Sequence, residues 1–202
     1  RPVPRKSPIP ETAYNPKVHD PMIQFHSLET PQLERFLERH KAGLSLKDDV
    51  DLDLVLRQIL QKAYEFVPSE SGSILLDDPF RKVASRRENE LVFIATFGDA
   101  SHNLVGQRLS ARHGIVGRVY QGGTPYLSAD AQTLQYFYNN IDEQIGFTTH
   151  SIVAVPVYIG KHVCGVLELI NRLEGKTFTR RDMTLLEIFA GYTSFTLQNA
   201  LD

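Results

Sequence analysis

Residues 152–172 read IVAVPVYIGKHVCGVLELINR, two apolar runs separated by a short turn signal. The runs Ile152–Ile159 and 162–170 are rich in β-branched residues, and Gly160-Lys161 is the spacing of a two-residue turn between antiparallel strands. This stretch therefore predicts a β-hairpin at the heart of an antiparallel sheet.

One carboxylate interrupts the second of these runs. Strict alternation divides that strand between two faces, with Cys164, Val166, Glu168 and Ile170 on one and Val163, Leu167 and Leu169 on the other. Because an unpaired buried carboxylate is costly, Glu168 needs a partner or an exposed position. Three readings stay open: an acceptor for a ligand's ring N–H or amino group, a salt bridge to a nearby Arg or Lys, or a place at the exposed sheet edge.

Composition indicates a globular chain with one core. The 202 residues are 42% hydrophobic and 23% charged, and the formal net charge is −2. With no run of Lys or Arg longer than two, nothing favours nucleic acid or an anionic membrane as partner. Cys164 is the only cysteine, which excludes an intrachain disulfide. The chain also lacks a signal-peptide pattern and the ~18 to 20 consecutive apolar residues of a membrane span, so a cytoplasmic location is expected.

Proline usage divides the chain. Seven of the eleven prolines fall within residues 1–31, so residues 1–30 are predicted to form a proline-rich arm or linker. Residues 31–48 then hold a short amphipathic helix, with Thr30 as its N-cap, and a connection. Residues 49–202 form the main domain. The start at Arg1 and the helical pattern at the end suggest a piece of a longer polypeptide whose output activity lies elsewhere.

The remaining elements follow from hydrophobic periodicity and turn residues. The main domain is predicted to contain helices at 49–67, 114–121, 133–143 and 180–201, strands at 73–76, 91–97 and 125–128, the hairpin, a solvated connection through Asp77 and Asp78, and a mostly irregular stretch at 98–113. The order favours an α+β fold. Long N- and C-terminal helices would lie on one face of an antiparallel sheet, and loops plus short helices would cover a ligand pocket on the other.

From about residue 49 to 202 the chain resembles a GAF domain. The likeness is distributed over several segments: GSILLD at 72–77, GIVGRV at 114–119, GFTT at 146–149, AVPV at 154–157 and GVLELINR at 165–172. It is greatest to the cyclic-nucleotide-binding GAF domains of phosphodiesterases and bacterial adenylyl cyclases, which carry a spaced Asn-Lys, Phe, Asp-Glu signature. Here that signature reads Asn171-Arg172, Phe178 and Asp182-Met183, and it implies an ion pair between Arg172 and Asp182.

The resemblance also implies a ligand site. It places five residues on the pocket wall: Ser73, Ile115, Val116, Thr149 and Glu168. The implied ligand is a cyclic nucleotide, cAMP or cGMP, although Ile145 stands where those domains often have threonine and His150 where they often have arginine. No catalytic triad, phosphate loop or paired histidine ligand spacing is present, so neither a catalytic residue nor a metal is expected.

The function expected from these features is that of a non-catalytic sensory module. It would dimerise through its terminal helices, with Leu186 and Phe189 at the interface, and pass its ligand state to an adjoining output domain. The alternative is a ligand-free dimerisation or interaction scaffold, whose pocket would be filled by Tyr136, Phe137 or Phe147. A haem- or metal-dependent enzyme or redox sensor is a third and weaker reading.

Overall fold

The structure, a computed structural model, describes residues 23–37, 51–78, 84–98, 101–112, 114–128, 149–174 and 177–201. These residues form a seven-stranded antiparallel sheet in the order β1-β3-β2-β7-β6-β5, with β4 pairing β3. The strands are β1 Phe25–Ser27, β2 Ser69–Asp77, β3 Glu90–Gly98, β4 Arg108–Ser110, β5 Tyr126–Leu127, β6 Ile152–Ile159 and β7 His162–Arg172. The helices are α1 Thr30–Leu37, α2 Leu52–Phe66, α3 Ser101–Leu104, α4 Gly114–Gly122 and α5 Arg180–Leu201, with a 3₁₀ turn at Arg86–Glu88.

Two long helices cover one face of the sheet, called here the helix face. The apolar stripes of α2 and α5 pack on it and enclose the larger core cluster, which includes Leu56, Leu60, Leu167, Leu186 and Leu197. The opposite face, called here the α4 face, carries a second cluster in which α4 packs on β2, β6 and β7. This arrangement confirms the predicted α+β fold class.

The hairpin of β6 and β7 is confirmed, but its side-chain pattern differs from strict alternation. Val157 lies opposite Gly165 and Tyr158 lies opposite Val163, so Cys164 is an extra, bulged residue. The bulge moves Cys164 into the helix-face cluster and Val163 against the α4-face cluster, the reverse of the prediction. Burial raises the pKa of the Cys164 thiol, so this cysteine stays protonated as a small apolar core residue.

The connection after β2 is also less exposed than predicted. Asp77 and Asp78 are buried rather than solvated, because Asp77 accepts a hydrogen bond from the Tyr120 hydroxyl and Asp78 pairs with Arg108. The stretch predicted to be irregular contains α3 and β4. The predicted helix at 133–143 lies outside the described residues.

Residues near the N-terminus pack on the sheet. Strand β1 lies within the predicted arm and pairs with β3, and Leu33 of α1 is buried in the helix-face core. Thr30 does not cap its own helix. Its hydroxyl donates to Asp53 Oδ1 at 2.8 Å and accepts from the Asp53 N–H at 3.3 Å, so it caps the start of α2, where Asp51 makes no side-chain cap.

Helix α5 is fixed in register against the exposed edge of β6. Strand β5 pairs only with Val153 and Ala154 of β6. Beyond them, the Tyr158 N–H donates to the Ser194 hydroxyl at 2.9 Å and the Gly160 N–H donates to Gln198 Oε1 at 3.1 Å. Two side chains one helical turn apart on α5 therefore satisfy edge donors that would otherwise face solvent or another strand.

Candidate functional site

Glu168 lies at the centre of the sheet. Strand β7 is flanked by β2 and β6, and Glu168 lies directly opposite Ser73 on one side and Ala154 on the other. Only 2% of Glu168 is exposed. The reading that placed this carboxylate at an exposed sheet edge is therefore wrong, and a charge at this position must be stabilised from within the protein or by a ligand.

Glu168 belongs to a row of side chains that crosses the α4 face. Directly opposite residues of paired strands point to the same side of a sheet, with Cβ atoms about 5 Å apart. Following the pairings outward from Glu168 gives the row Thr96, Ser73, Glu168, Ala154 and Tyr126. The residues directly opposite Glu168 on the two neighbouring strands, Ser73 and Ala154, both have small side chains.

Sequence reasoning missed Thr96, which is fully buried in this row. Its strand was predicted, but its place beside Ser73 depends on the β2–β3 register and on a bulge between Ile74 and Leu75. A bulge of this kind leaves no turn residue in the sequence that would reveal it.

Helix α4 brings two more of the predicted wall residues to the same face. Ile115 and Val116 are fully buried and belong to the cluster that contains Ala154 and Val166. Gly117 lets α4 lie close to the segment that follows β4, since a Cβ there would lie 2.5 Å from the Ala111 carbonyl oxygen. The structure thus brings Ser73, Ile115, Val116 and Glu168 to one side of the sheet.

The C-terminal half of α4 is anchored through Tyr120. Its hydroxyl donates to Asp77 Oδ2 at 2.9 Å and accepts from Asn89 Nδ2 at 3.2 Å. The Arg86 guanidinium lies 4.2 Å from the ring centroid and donates to the carbonyls of Tyr120 and Val163. Burial, together with the Asp77 charge, raises the pKa of Tyr120 to about 12, so the hydroxyl remains a donor at physiological pH.

Thr149, the fifth predicted wall residue, is buried just before β6. The backbone next to it is held by Asn171, whose Oδ1 accepts from the N–H groups of His150 at 2.5 Å and Ser151 at 3.1 Å. Asn171 Nδ2 donates to Glu70 Oε2 at 3.0 Å, and its φ of 56° is in the left-handed region that Asn tolerates better than most residues. Asn171 therefore sets the path of the chain from Thr149 into the sheet.

The other signature residues meet where β7 leads into α5. Arg172 Nε donates to Asp182 Oδ2 at 2.8 Å. Asp182 also accepts from the Thr179 N–H at 2.8 Å while the Thr179 hydroxyl accepts from the Asp182 N–H at 3.2 Å, which is the reciprocal capping arrangement of a helix start. Burial raises the pKa of the Asp182 carboxyl, but the bonds from Arg172 and Thr179 outweigh it and leave that pKa below its usual value. Phe178 is buried in the helix-face core beside this junction.

Comparison with known proteins agrees with this architecture. Residues 49–198 match the GAF domain family. The chain belongs to the GAF domain family. It is 30% identical over 159 residues to a probable 3',5'-cyclic phosphodiesterase, pde-5, of Caenorhabditis elegans, an alignment that covers 76% of this chain and 21% of that protein. The chain thus spans about one fifth of this curated relative.

Solved structures show the same GAF fold. Residues 122–287 of a methyl-accepting chemotaxis protein superpose with a TM-score of 0.60 at 23% identity, covering 74% of this chain and 90% of that one. A GAF domain/HD domain protein from Geobacter sulfurreducens superposes with a TM-score of 0.59 at 10% identity, covering 74% and 94%. At these identities the likeness establishes the fold.

Three cavities lined by described residues of the GAF domain lie away from Glu168. A groove of about 630 Å³ runs between α2 and α5, one of about 520 Å³ lies between β5 and the start of α5, and one of about 260 Å³ lies beside the edge of β6. The aromatic residues Tyr136, Phe137 and Phe147, expected to fill the pocket of a ligand-free scaffold, are outside the described residues, as is Ile145.

The described part of the chain contains no group of three or more His, Cys, Asp or Glu side chains placed to hold a metal ion. No helix within the same residues has the length and apolar character to cross a bilayer.

Proposed function

We propose that this GAF domain is a regulatory module that binds a cyclic nucleotide on the α4 face, with the Glu168 carboxylate recognising the base. The observation that carries the proposal is a carboxylate buried at the centre of the sheet between two small residues, Ser73 and Ala154. Kinship with a probable cyclic phosphodiesterase supports this class of ligand.

The chemistry of the wall residues suits a cyclic nucleotide. A carboxylate can accept two parallel hydrogen bonds from the adjacent ring N–H and amino group of guanine, whereas adenine offers one amino group on the corresponding edge. The first N–H groups of a helix favour an anion, and in α4 they belong to the turn that carries Ile115 and Val116. Hydroxyls of Ser73 and Thr149 are further donors for the sugar or phosphate. In this assignment Glu168 provides base selectivity and α4 faces the phosphate.

Signal output is proposed to leave through the terminal helices. The chain from Thr149 is tied to Asn171, and the adjacent Arg172 is tied to Asp182 at the start of α5. A ligand that draws the Thr149 segment onto the α4 face would shift α5 between two positions through these bonds. The shift in this equilibrium can be no larger than the difference in the ligand's affinity for the two positions. The recipients in this proposal are a second copy of the domain and an adjoining output domain in a longer cytosolic protein.

The domain division proposed for the chain keeps residues 49–202 as the binding unit. Residues 1–30 and 31–48 remain an arm and a connecting segment, of which residues 23–37 pack against the β3 edge and α2. The proposal gives this unit a regulatory role, as is usual for GAF domains, and assigns no residue to catalysis.

Thermal unfolding with added nucleotides tests the proposal. The 202-residue chain would be unfolded alone and with cyclic GMP, cyclic AMP, 5'-GMP and 5'-AMP. A ligand at 100 times its dissociation constant adds about 2.7 kcal/mol of stability, which for a domain of this size raises Tm by roughly 5 to 10 °C. A rise with a cyclic nucleotide that is lost in Glu168→Gln and kept in Glu187→Gln, which changes an exposed glutamate, would support the site. No rise with any nucleotide would overturn it.

A ligand-free scaffold is the second candidate, and one observation favours it. The outer surface of α5 exposes large apolar side chains, among them Ile188, Tyr192 and Phe195, that a monomer would not need. If the protein shows no nucleotide response but forms a dimer in sedimentation velocity, the scaffold becomes the better account.

A further inference from the structure

Strand β1 extends the row of side chains that contains Glu168. It pairs with β3 so that His26 lies directly opposite Thr96, which in turn lies opposite Ser73. Since Ser73 lies opposite Glu168, four adjacent strands present polar side chains in one line, called here the polar strip: His26, Thr96, Ser73 and Glu168. The row therefore reaches a strand that lies outside residues 49–198, the stretch that matches the GAF family.

Contacts on the helix face show that His26 points to the α4 face. The ring centroid of Phe25 lies 5.2 Å from that of Phe97, a residue of the helix-face core. The Ser27 hydroxyl accepts a hydrogen bond from Arg57 of α2 at 3.2 Å. Because successive side chains of a strand alternate between its two faces, the residue between these two, His26, lies on the α4 face.

The two sides of Glu168 differ along this row. Toward β6, the next residue is Ala154, which belongs to the apolar cluster formed with α4. Toward β3, the next two residues are Ser73 and Thr96, whose hydroxyls can hydrogen-bond to a polar ligand. Helix α4 packs on β6 and β7, whereas α3 lies beside β3 and β1. A polar ligand held by Glu168 is therefore expected to extend toward β1 rather than toward β6.

We propose that His26 contacts the phosphate of the nucleotide whose base is held by Glu168, so that the ligand lies along the polar strip. Neighbouring strands are about 4.8 Å apart, which separates the β1 and β7 positions by about 14 Å across three spacings. A cyclic nucleotide that is hydrogen-bonded at both ends spans a comparable distance, because each hydrogen bond adds about 3 Å to the length of the molecule. The inference rests on the proposed function, and it adds a contact on the sheet to the one proposed for the first turn of α4.

An imidazole suits this position chemically. In either charge state it carries at least one N–H that can donate to a phosphate oxygen, and the bond is charge-assisted because the phosphate is ionised. His26 is half-buried rather than enclosed, so a ligand has access to it. A cationic side chain also lies near the opposite end of the row, where the Arg118 guanidinium is 5.7 Å from the centroid of the Tyr126 ring. The apolar Ala154 and the covering helix α4 separate that end from Glu168, which favours His26.

Calorimetric titration of the 202-residue chain with cyclic GMP tests this contact. His26→Ala removes the donor, and His26→Lys replaces it with a cationic donor. Arg118→Ala tests the opposite end of the row, and His162→Ala is the matched control because His162 is an exposed histidine at the start of β7. Hydrogen exchange of the Leu28 amide, which donates to the Ile94 carbonyl of β3 at 2.8 Å, reports in each variant whether β1 remains docked.

The contact predicts that His26→Ala binds cyclic GMP at least tenfold more weakly than wild type, while its Leu28 amide exchanges at the wild-type rate. The affinity of His26→Lys should stay within about threefold of wild type, and Arg118→Ala and His162→Ala should bind as wild type does. Unchanged affinity in His26→Ala, a loss in Arg118→Ala alone, or failure of lysine to restore binding would overturn the contact. A loss accompanied by faster Leu28 exchange would result from undocking of β1 and would also overturn it. If wild type itself does not bind cyclic GMP, the proposed function and this inference are both wrong, whereas the other outcomes leave the proposed function standing.

Discussion

Replacement of Asn171 is the perturbation whose size the structure defines best. The Asn171 side chain accepts hydrogen bonds from the backbone N–H groups of His150 and Ser151 and donates to Glu70, and its backbone is left-handed at a φ of 56°. Asn171→Ala removes all three side-chain hydrogen bonds. It also leaves in the left-handed conformation a residue whose side chain, unlike that of asparagine, has no polar group to stabilise it.

The loss can be assembled from its parts. Ser151 is buried, so its orphaned N–H costs about 1 to 3 kcal/mol, whereas His150 is exposed and water replaces most of its bond, leaving about 0.5 to 1 kcal/mol. Left-handed backbone adds about 1 kcal/mol for alanine. Glu70 is exposed and adds little. We expect Asn171→Ala to lower the free energy of unfolding by about 3 to 4 kcal/mol and Asn171→Gly by about 1 kcal/mol less, since glycine tolerates the left-handed backbone.

Urea unfolding followed by circular dichroism measures both variants against wild type. The denaturant slope should not change, because the same surface is exposed on unfolding. Asn103→Ala is the matched control: Asn103 is exposed, and its replacement should change stability by less than about 0.5 kcal/mol. If Asn171→Ala stays within about 1 kcal/mol of wild type, or if glycine is no better than alanine, the assignment of Asn171 as the fastening point of the Thr149 segment is wrong.

Three further changes have expected outcomes. In urea unfolding at pH 7, Asp182→Asn should lower the free energy of unfolding by about 2 kcal/mol. Because the pKa of Asp182 is lowered in the folded state, the greater stability of wild type should persist above about pH 4 and disappear as the pH falls through the folded-state pKa. A stability difference that stays constant from pH 7 to pH 2 would contradict the ion pair. Gly165→Ala places a Cβ against a backbone oxygen of β2 and should destabilise the fold by about 3 kcal/mol or more. In the control Gly122→Ala the new Cβ meets nothing within 4 Å, so its stability should stay close to that of wild type. Equal melting temperatures of the two variants would refute this packing. Ser194→Ala removes the acceptor of the Tyr158 N–H and should speed hydrogen exchange of that amide at least tenfold, while unchanged exchange would show that α5 does not protect the β6 edge.

Elements with a clear period were predictable from the sequence. The β6–β7 hairpin follows from two apolar runs around Gly160-Lys161, and α5 spans residues 180–201 as its periodicity indicates. Both signals are local, since each depends on residues that lie only a few positions apart in the sequence. Their agreement with the structure reflects that locality.

Features that depend on contacts between distant residues were missed. Asp77 and Asp78 have the composition of a solvated turn, yet Tyr120 and Arg108, some thirty or more residues later, allow them to be buried. The bulge at Cys164 reverses the side chains of Val163 and Cys164, and the adjacent Gly165, a residue type that often accompanies a bulge, was a local signal that the strict alternation ignored.

The arrangement of the candidate site also depends on contacts between distant residues. The resemblance identified Glu168 and Ser73 individually, but only strand register shows them side by side at the sheet centre and adds Thr96 to the row. For the same reason the sequence alone was compatible with an edge position for Glu168: the position of β7 between β2 and β6 is set by pairings that span most of the domain.

Titration calorimetry with cyclic GMP and cyclic AMP is the decisive experiment for recognition of the base by Glu168. We expect one site per chain, tighter binding of cyclic GMP than of cyclic AMP, and a loss of affinity for cyclic GMP of at least tenfold in Glu168→Gln, with Glu187→Gln unchanged. Binding of neither nucleotide, or equal affinity of wild type and Glu168→Gln for cyclic GMP, would contradict it.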